Sequence, residues 1–279
     1  MHQKDHFPVL RIQAFSQNPS SDCTVLFHEL HGERAIEEAH KHDFLIAILF
    51  ERGAGTHTID FVAHPIQSNQ LHLLFPGQVH AWNIQHDTVG YQLMIGQELL
   101  DVFLTNLRFA AAFYHRHPVM DIPGSTFGHL LYEFKSIQQE LHADKPFTQM
   151  ISARLGVIGL LISRVAAALF QDTDIYSANP VLSRFVNLID QHFREQRSVA
   201  FYAAAIGISA NYLNMICKKE LHVAASSLIQ DRVLLEAKRL LKASRMTVKE
   251  IVFDLGFYDH ANFSKFFKAH TGMTPSEFK

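Results

Sequence analysis

Histidine is the residue type that stands out for chemistry in this chain, with 15 of its 19 histidines lying before residue 179. His40 and His42 are two apart, a spacing that on a β-strand puts both imidazoles on one face. His80, closing the run Pro76-Gly-Gln-Val-His80, can approach them from another strand. Three converging imidazoles suit zinc, nickel or iron, or a polar pocket that grips a small molecule. His57, His64 and His72 read most simply as surface or strand-packing residues. No glycine-rich phosphate loop, nucleophile elbow or paired-carboxylate constellation offers another catalytic option.

The chain has 279 residues, a length that predicts two ordinary domains, and at 48% hydrophobic with 19% charged residues it can bury real cores. Two cysteines, Cys23 and Cys217, exclude a disulfide scaffold and a four-cysteine zinc site, and fit a reduced, cytoplasmic compartment. The formal charge of -2 conceals an uneven distribution. From Asn179 onward 14 Lys and Arg face 9 Asp and Glu, whereas the preceding residues hold 11 against 18. A basic tail follows an acidic body. The opening MHQKDHFPVLRIQAF has no uninterrupted apolar core with a small-residue cleavage site, so no signal peptide is expected. The most apolar stretch, 155–170, is interrupted by Arg164 and reads as a buried or dimerising helix, with no membrane span expected.

Short strand-like runs at 44–50, 56–62 and 70–75 are separated by Gly and Pro, the pattern of a small barrel or sandwich. Thr56, Thr58 and Asp60 alternate against His57, Ile59 and Phe61, a period of two. Beyond Gln97 the period lengthens. Leu130, Leu131, Phe134, Ile137 and Leu141 predict one helix, and Ile151, Leu155, Ile158, Ile162, Val165 and Leu169 a second. The second stripe fits either a dimer interface or packing on the chain's own barrel. The polar stretch ending at Pro180 predicts the linker.

The C-terminal region repeats at close to fifty residues. Ile206-Gly-Ile-Ser-Ala-Asn-Tyr-Leu213 aligns with Leu255-Gly-Phe-Tyr-Asp-His-Ala-Asn-Phe263, the second turn carrying one extra residue. In each copy a short apolar helix (200–206; 247–255) meets a glycine that permits a tight turn, and a longer helix comes after it. This is a helix-turn-helix signature. Ser209 and Asp259 stand where helix N-caps are wanted, and 223–243 reads as a long connecting helix.

Residues 199–278 resemble the tandem DNA-binding domain of the AraC/XylS transcriptional regulators. The resemblance rests on Ile208-Ser-Ala-Asn-Tyr-Leu213, Arg232-Val-Leu-Leu-Glu-Ala-Lys-Arg-Leu-Leu241, Glu250-Ile251, Leu255-Gly-Phe-Tyr-Asp-His-Ala-Asn-Phe-Ser-Lys-Phe-Phe-Lys268 and Thr271-Gly-Met-Thr-Pro-Ser-Glu-Phe278. The first copy departs from the family pattern at His222, usually glycine, and Cys217, usually phenylalanine. The first half resembles the cupin-like sensor domain of the same regulators in Ala39-His-Lys-His-Asp-Phe44, Gly53-Ala-Gly-Thr-His-Thr-Ile-Asp-Phe61 and Leu73-Leu-Phe-Pro-Gly-Gln-Val-His80. The resemblance implies an α+β chain of two domains. A cupin-like β-barrel with appended helices occupies 1–173, a linker 174–180, and an all-α bundle of seven helices with two helix-turn-helix units 181–279. Its two recognition helices would enter successive major grooves about 34 Å apart. Metal-binding cupins usually carry a glutamate four or five positions after the second histidine; Ile46 and Ala47 stand there, and Glu51 is too far along. No cofactor is therefore expected, with His40, His42 and His80 as weak metal candidates.

Helix geometry and the resemblance together nominate the DNA-reading residues. In 209–221, Tyr212, Leu213 and Ile216 pack inward, leaving Ala210, Asn211, Asn214, Met215 and Lys218 outward. The two asparagines suit adenine, and Met215 a thymine methyl. In 259–270, Phe263, Phe266 and Phe267 pack, leaving His260, Ala261, Asn262, Ser264 and Lys265 outward, Lys265 being the best candidate for guanine. Lys218, Lys219 and Lys268 are read as phosphate contacts. The expected effector pocket is His40, His42, His80, Trp82 and Tyr91, core packing being the alternative for Trp82 and Tyr91. The resemblance implies a sequence-specific transcription regulator, activation being the family's commoner mode, whose partners are promoter DNA, a small-molecule effector, a second copy and RNA polymerase. The alternative is a metal-dependent cupin enzyme with a DNA-binding appendage.

Overall fold

The computed structural model describes residues 9–15, 25–109, 111–170, 180–244 and 246–279. Apart from Pro180, the expected linker lies outside them. The described residues fall into two compact units, one drawn from 8–173 and the other from 174–279.

The first unit is built on two five-stranded sheets. One has the order β1 (Val9–Leu10), β3 (Arg34–His42), β8 (Val79–Ile84), β5 (Gly55–Ile59), β6 (Val62–Pro65); the other runs β10 (Val119–Asp121), β7 (Gln70–Leu74), β4 (Leu45–Arg52), β9 (Val89–Ile95), β2 (Val25–His31). Among the described residues all pairings are antiparallel except β1 with β3. Side chains from both sheets meet in one core that includes Ile46, Ile48 and Phe50 of β4, Ile59 of β5, Trp82 and Ile84 of β8 and Met94 of β9. The alternate residues Leu45, Ala47 and Leu49 are also fully buried, because helices cover the other face of that sheet. Burial on both faces explains an unbroken apolar run where a one-sided strand would alternate.

The expected strand 56–62 is two elements. Asp60 (φ 47) and Phe61 (φ 70) take left-handed conformations after Ile59 and turn the chain into β6. The Asp60 carboxylate accepts from Gln78 Nε2 at 2.8 Å and from the Val79 backbone N–H at 3.2 Å, tying this turn to the strand that carries His80.

Among the described residues four α-helices complete the unit: α1 (Gln97–Thr105), α2 (Ala111–Arg116), α3 (Gly124–Leu141) and α4 (Thr148–Leu169). By length and composition α4 could cross a bilayer, yet its stripe Ile151, Leu155, Ile158, Ile162 and Val165 is buried within the unit, where α4 packs on α1 and α3. The stripe is thus core; Leu169, at its end, is exposed. The opposite face of α4 exposes Met150, Ala153, Val157, Leu160, Arg164 and Ala167, spaced alternately by three and four residues.

The second unit contains seven helices among the described residues: α5 (Pro180–His192), α6 (Val199–Ile206), α7 (Ala210–Leu221), α8 (Ala225–Ala243), α9 (Val248–Asp254), α10 (His260–Thr271) and α11 (Pro275–Phe278). The chain bends by 96° between α6 and α7. Gly207 (φ 85) closes α6 in the left-handed region, and Gly256 (φ 67) takes the same conformation after α9. Each longer helix then starts on a side-chain cap: Ser209 accepts from the Tyr212 N–H, and Asp259 from the Asn262 N–H. Such a cap is worth about 1 kcal/mol. Leu213 and Cys217 of α7, Phe263 and Phe267 of α10, and Ile229, Val233 and Ala237 of α8 share one core, so α8 buries both pairs along its length. Beside it Glu236 is held by Arg194 (2.9 Å), Arg232 (3.1 Å) and Arg239 (3.6 Å).

Candidate nucleic-acid interface and effector cavity

A helix turns 100° per residue, so the buried arc fixes what faces out. On α7 that arc is Leu213, Ile216 and Cys217, opposite which Asn211, Met215 and Lys218 are exposed. The same offset on α10, around Phe263 and Phe267, exposes Ala261, Lys265 and Lys268. Lys219, His260 and Asn262 are exposed on the flanks.

Four nominated positions differ from expectation. Ala210 is half-buried and packs on the core, lying only 60° round the helix from Leu213. Asn214 is half-buried, and its Oδ1 accepts the Ala225 backbone N–H at 3.1 Å, serving the start of α8, whose own N-cap Ala224 has no side-chain oxygen. Ser264 is half-buried and lies 3.3 Å from His260 Nδ1. Tyr212, expected in the core, is 48% exposed at the edge of the outward face. Asn262 is accessible, with its Nδ2 donating to Asp259 Oδ2 at 3.0 Å. Sequence reasoning also passed over Tyr258, which leads into α10 and is 93% exposed. An aromatic next to Phe257, within a run that packs through Phe257 and Phe263, gave no signal of facing out.

Cys217 takes a fully buried position, and burial pushes its thiol up to about 11. It packs as a small hydrophobe. His222 caps α7 in the left-handed conformation (φ 57) that glycine adopts without strain.

In the barrel, His40, His42, His80 and Trp82 line one cavity of about 340 Å³, joined by Arg34, Ile36, Gln92 and Met94. Tyr91 is not among its walls. In β9 the residues at 92 and 94 point inward, so 91 faces the other side, where Tyr91 donates to Glu51 at 2.7 Å under the Lys135 ammonium. His57 and His72, expected on the surface or in strand packing, are fully buried beside the cavity histidines. His42 Nε2 lies 2.8 Å from His80 Nε2; His80 Nδ1 lies 3.0 Å from His57 Nε2; His57 Nδ1 lies 2.9 Å from His72 Nδ1. Burial above all, reinforced by neighbouring imidazoles, lowers His42 and His57 to about 3 and holds His72 and His80 well below the usual imidazole range. All four are neutral at pH 7.

Two helix-turn-helix pairs in series, the first bent by 96°, joined by one long helix and each presenting a capped polar helix, define a tandem helix-turn-helix domain. The profile of a helix-turn-helix domain family matches residues 202–279. The arabinose operon regulatory protein of Salmonella typhimurium is 32% identical over 93 residues, covering 33% of this chain and 32% of that protein. The chain therefore matches about a third of that relative's length. The transcriptional activator RhaS of Escherichia fergusonii is 21% identical over 274 residues, 94% of each chain. Among solved structures, fatty-acid-bound ToxT of Vibrio cholerae has 14% identity and a TM-score of 0.43, covering 91% of this chain and 93% of that one. The C-terminal domain of this chain is an AraC-family helix-turn-helix domain.

Proposed function

We propose that the chain is a cytoplasmic transcription regulator, not an enzyme, that reads one site on double-stranded promoter DNA with α7 and α10. The observation that carries this is the pair of equivalent exposed faces, Asn211, Met215 and Lys218 on one helix and Ala261, Lys265 and Lys268 on the other, within the basic part of the chain. Lys218, Lys219 and Lys268 anchor phosphates, whereas Asn211 and Lys265 hydrogen-bond base edges. The regulator acts as an activator through RNA polymerase.

A small-molecule effector binds in the barrel. The 340 Å³ cavity is of ligand size, and the buried Trp82 indole N–H has no hydrogen-bond partner among the described residues, a donor suited to an oxygen acceptor. Control requires the effector to favour one arrangement of the two domains over the other. The exposed three-four repeat on α4 supports pairing with a second copy, since this spacing forms a coiled-coil seam.

Selection of bound fragments from a random duplex library by the full-length chain tests the reading. Enrichment of one motif with two half-sites about one helical turn apart supports it. Failure to enrich any motif, with and without a metabolite library, overturns it.

A further inference from the structure

The cavity histidines do more than line a pocket. The rings of His40, His42 and His80 surround one point, with centroids 4.5 to 5.0 Å apart, and one nitrogen from each lies within 4.8 Å of the others. All three are buried.

A hydrogen-bonded chain behind them sets which nitrogen of His80 carries its proton. It starts at Gln70, whose amide is oriented twice over: Oε1 accepts the Gln67 backbone N–H at 2.8 Å, and Nε2 donates to Asp121 Oδ1 at 2.9 Å. Since Oε1 is an acceptor, the contact at 3.2 Å has His72 Nε2–H as donor. A neutral imidazole then has only a lone pair on Nδ1, so His57 must donate to it from Nδ1. By the same step His57 Nε2 accepts from His80 Nδ1–H. His80 is left with a bare lone pair on Nε2, facing His42.

Neither neutral form of His42 satisfies that arrangement. With its proton on Nε2 it bonds His80, but Nδ1 becomes a buried lone pair without a partner. With its proton on Nδ1, two lone pairs oppose each other at 2.8 Å. A cation between the two Nε2 atoms removes the conflict, because both lone pairs then face positive charge.

We propose that His40, His42 and His80 bind one divalent first-row transition metal ion through imidazole nitrogens, and that Gln70, His72 and His57 form the relay that holds His80 in the required tautomer. Neutral imidazoles suit zinc, nickel, cobalt and iron(II), and three protein ligands leave positions open toward the cavity. With Ile46 and Ala47 where a ligating glutamate would stand, the site is one of three imidazoles, and the relay orients His80 as outer-shell partners orient metal-bound histidine.

The test uses the untagged full-length chain, stripped with chelator, dialysed against zinc or cobalt(II) chloride, and assayed for bound metal and for the cobalt d–d spectrum. One equivalent per chain with a nitrogen-ligand spectrum is expected, lost in His42→Gln and His80→Gln. His72→Gln, which leaves all three ligands in place, is expected to weaken uptake about 10- to 100-fold. Folding of each variant is checked by circular dichroism. If the ligand variants do not fold, X-ray absorption on the wild-type chain must report three imidazoles on the metal. Substoichiometric uptake of every ion by the wild type, or full uptake by a folded ligand variant, overturns the proposal. DNA selection with the same samples is read separately, so failure of the regulator reading and failure of the metal site are distinguishable.

Discussion

Asn214 Oδ1 accepts the backbone N–H of Ala225 at 3.1 Å, so a side chain of the first recognition helix secures the start of the next helix. Asn214→Ala is therefore expected to cost about 1 kcal/mol of stability, as loss of a helix cap does. Urea unfolding of the variant reads the cost. Base preference at the first half-site is expected to survive the substitution; its relaxation with stability unchanged would return Asn214 to base reading.

Lys265 and Met215 occupy equivalent positions fifty residues apart, one charged and one apolar. Lys265→Ala is expected to lose about 1–3 kcal/mol of specific binding and to relax discrimination in the second half-site. Lys218→Ala should weaken all sequences alike and reduce the salt dependence by about one counterion. Binding titrations across a salt series separate the two behaviours.

Glu236 gives the C-terminal domain a defined acid limit. Burial pushes its carboxyl up, but Arg232, Arg239 and Arg194 together outweigh burial and hold it down to about 2 from the ordinary 4.5. The folded state binds this proton less readily than the unfolded chain, so the stabilisation is complete above pH 4.5 and is lost as pH falls toward 2. Roughly 2–3 kcal/mol should disappear over that window. Glu236→Ala, which strands the guanidinium groups, is expected to cost about 3–5 kcal/mol at neutral pH. Thermal unfolding against pH, with and without the substitution, measures both.

Two turns that look alike in sequence should respond differently to alanine. Gly207 has open space where a Cβ would stand, whereas a Cβ on Gly256 would lie 2.5 Å from the Arg194 carbonyl oxygen. Gly207→Ala is expected to cost about 1–2 kcal/mol from the left-handed backbone alone, and Gly256→Ala clearly more. His222→Gly, by relieving the same conformation, should stabilise by about 1 kcal/mol. Chemical denaturation midpoints rank the three.

Leu160 is 56% exposed at the middle of the outward seam of α4. If the seam joins two copies, Leu160→Glu shifts a dimer to monomer in sedimentation analysis without lowering the melting temperature of the barrel. A wild-type chain that sediments as a monomer at every concentration would remove the seam from consideration.

The helical domain was the more legible half because each helix buries one stripe: Leu213 and Phe263, or Cys217 and Phe267, stand out against polar neighbours, and the fifty-residue repeat marks both units. Edges of the stripe were less clear. Tyr212 and Asn214 lie on opposite borders of the buried arc, and a tyrosine reads as core and an asparagine as surface until their partners are placed. In the barrel the difficulty was different. Leu71 to Leu74 and the β9 run are buried on both faces, so nothing in the alternation told which face His72 or Tyr91 took. His57 did share its phase with Ile59, but its partners, His72 and His80, are 15 and 23 residues away, and a buried histidine signals nothing until they are known.

Asp121 and Gln67, where the histidine relay begins, are exposed and stand outside the cavity. What the pocket offers a ligand is thus decided at the barrel's rim. A survey of substitutions limited to the cavity walls would leave the deciding amide of Gln70 untouched, and two barrels with identical walls but different residues at this rim would accept different chemistry.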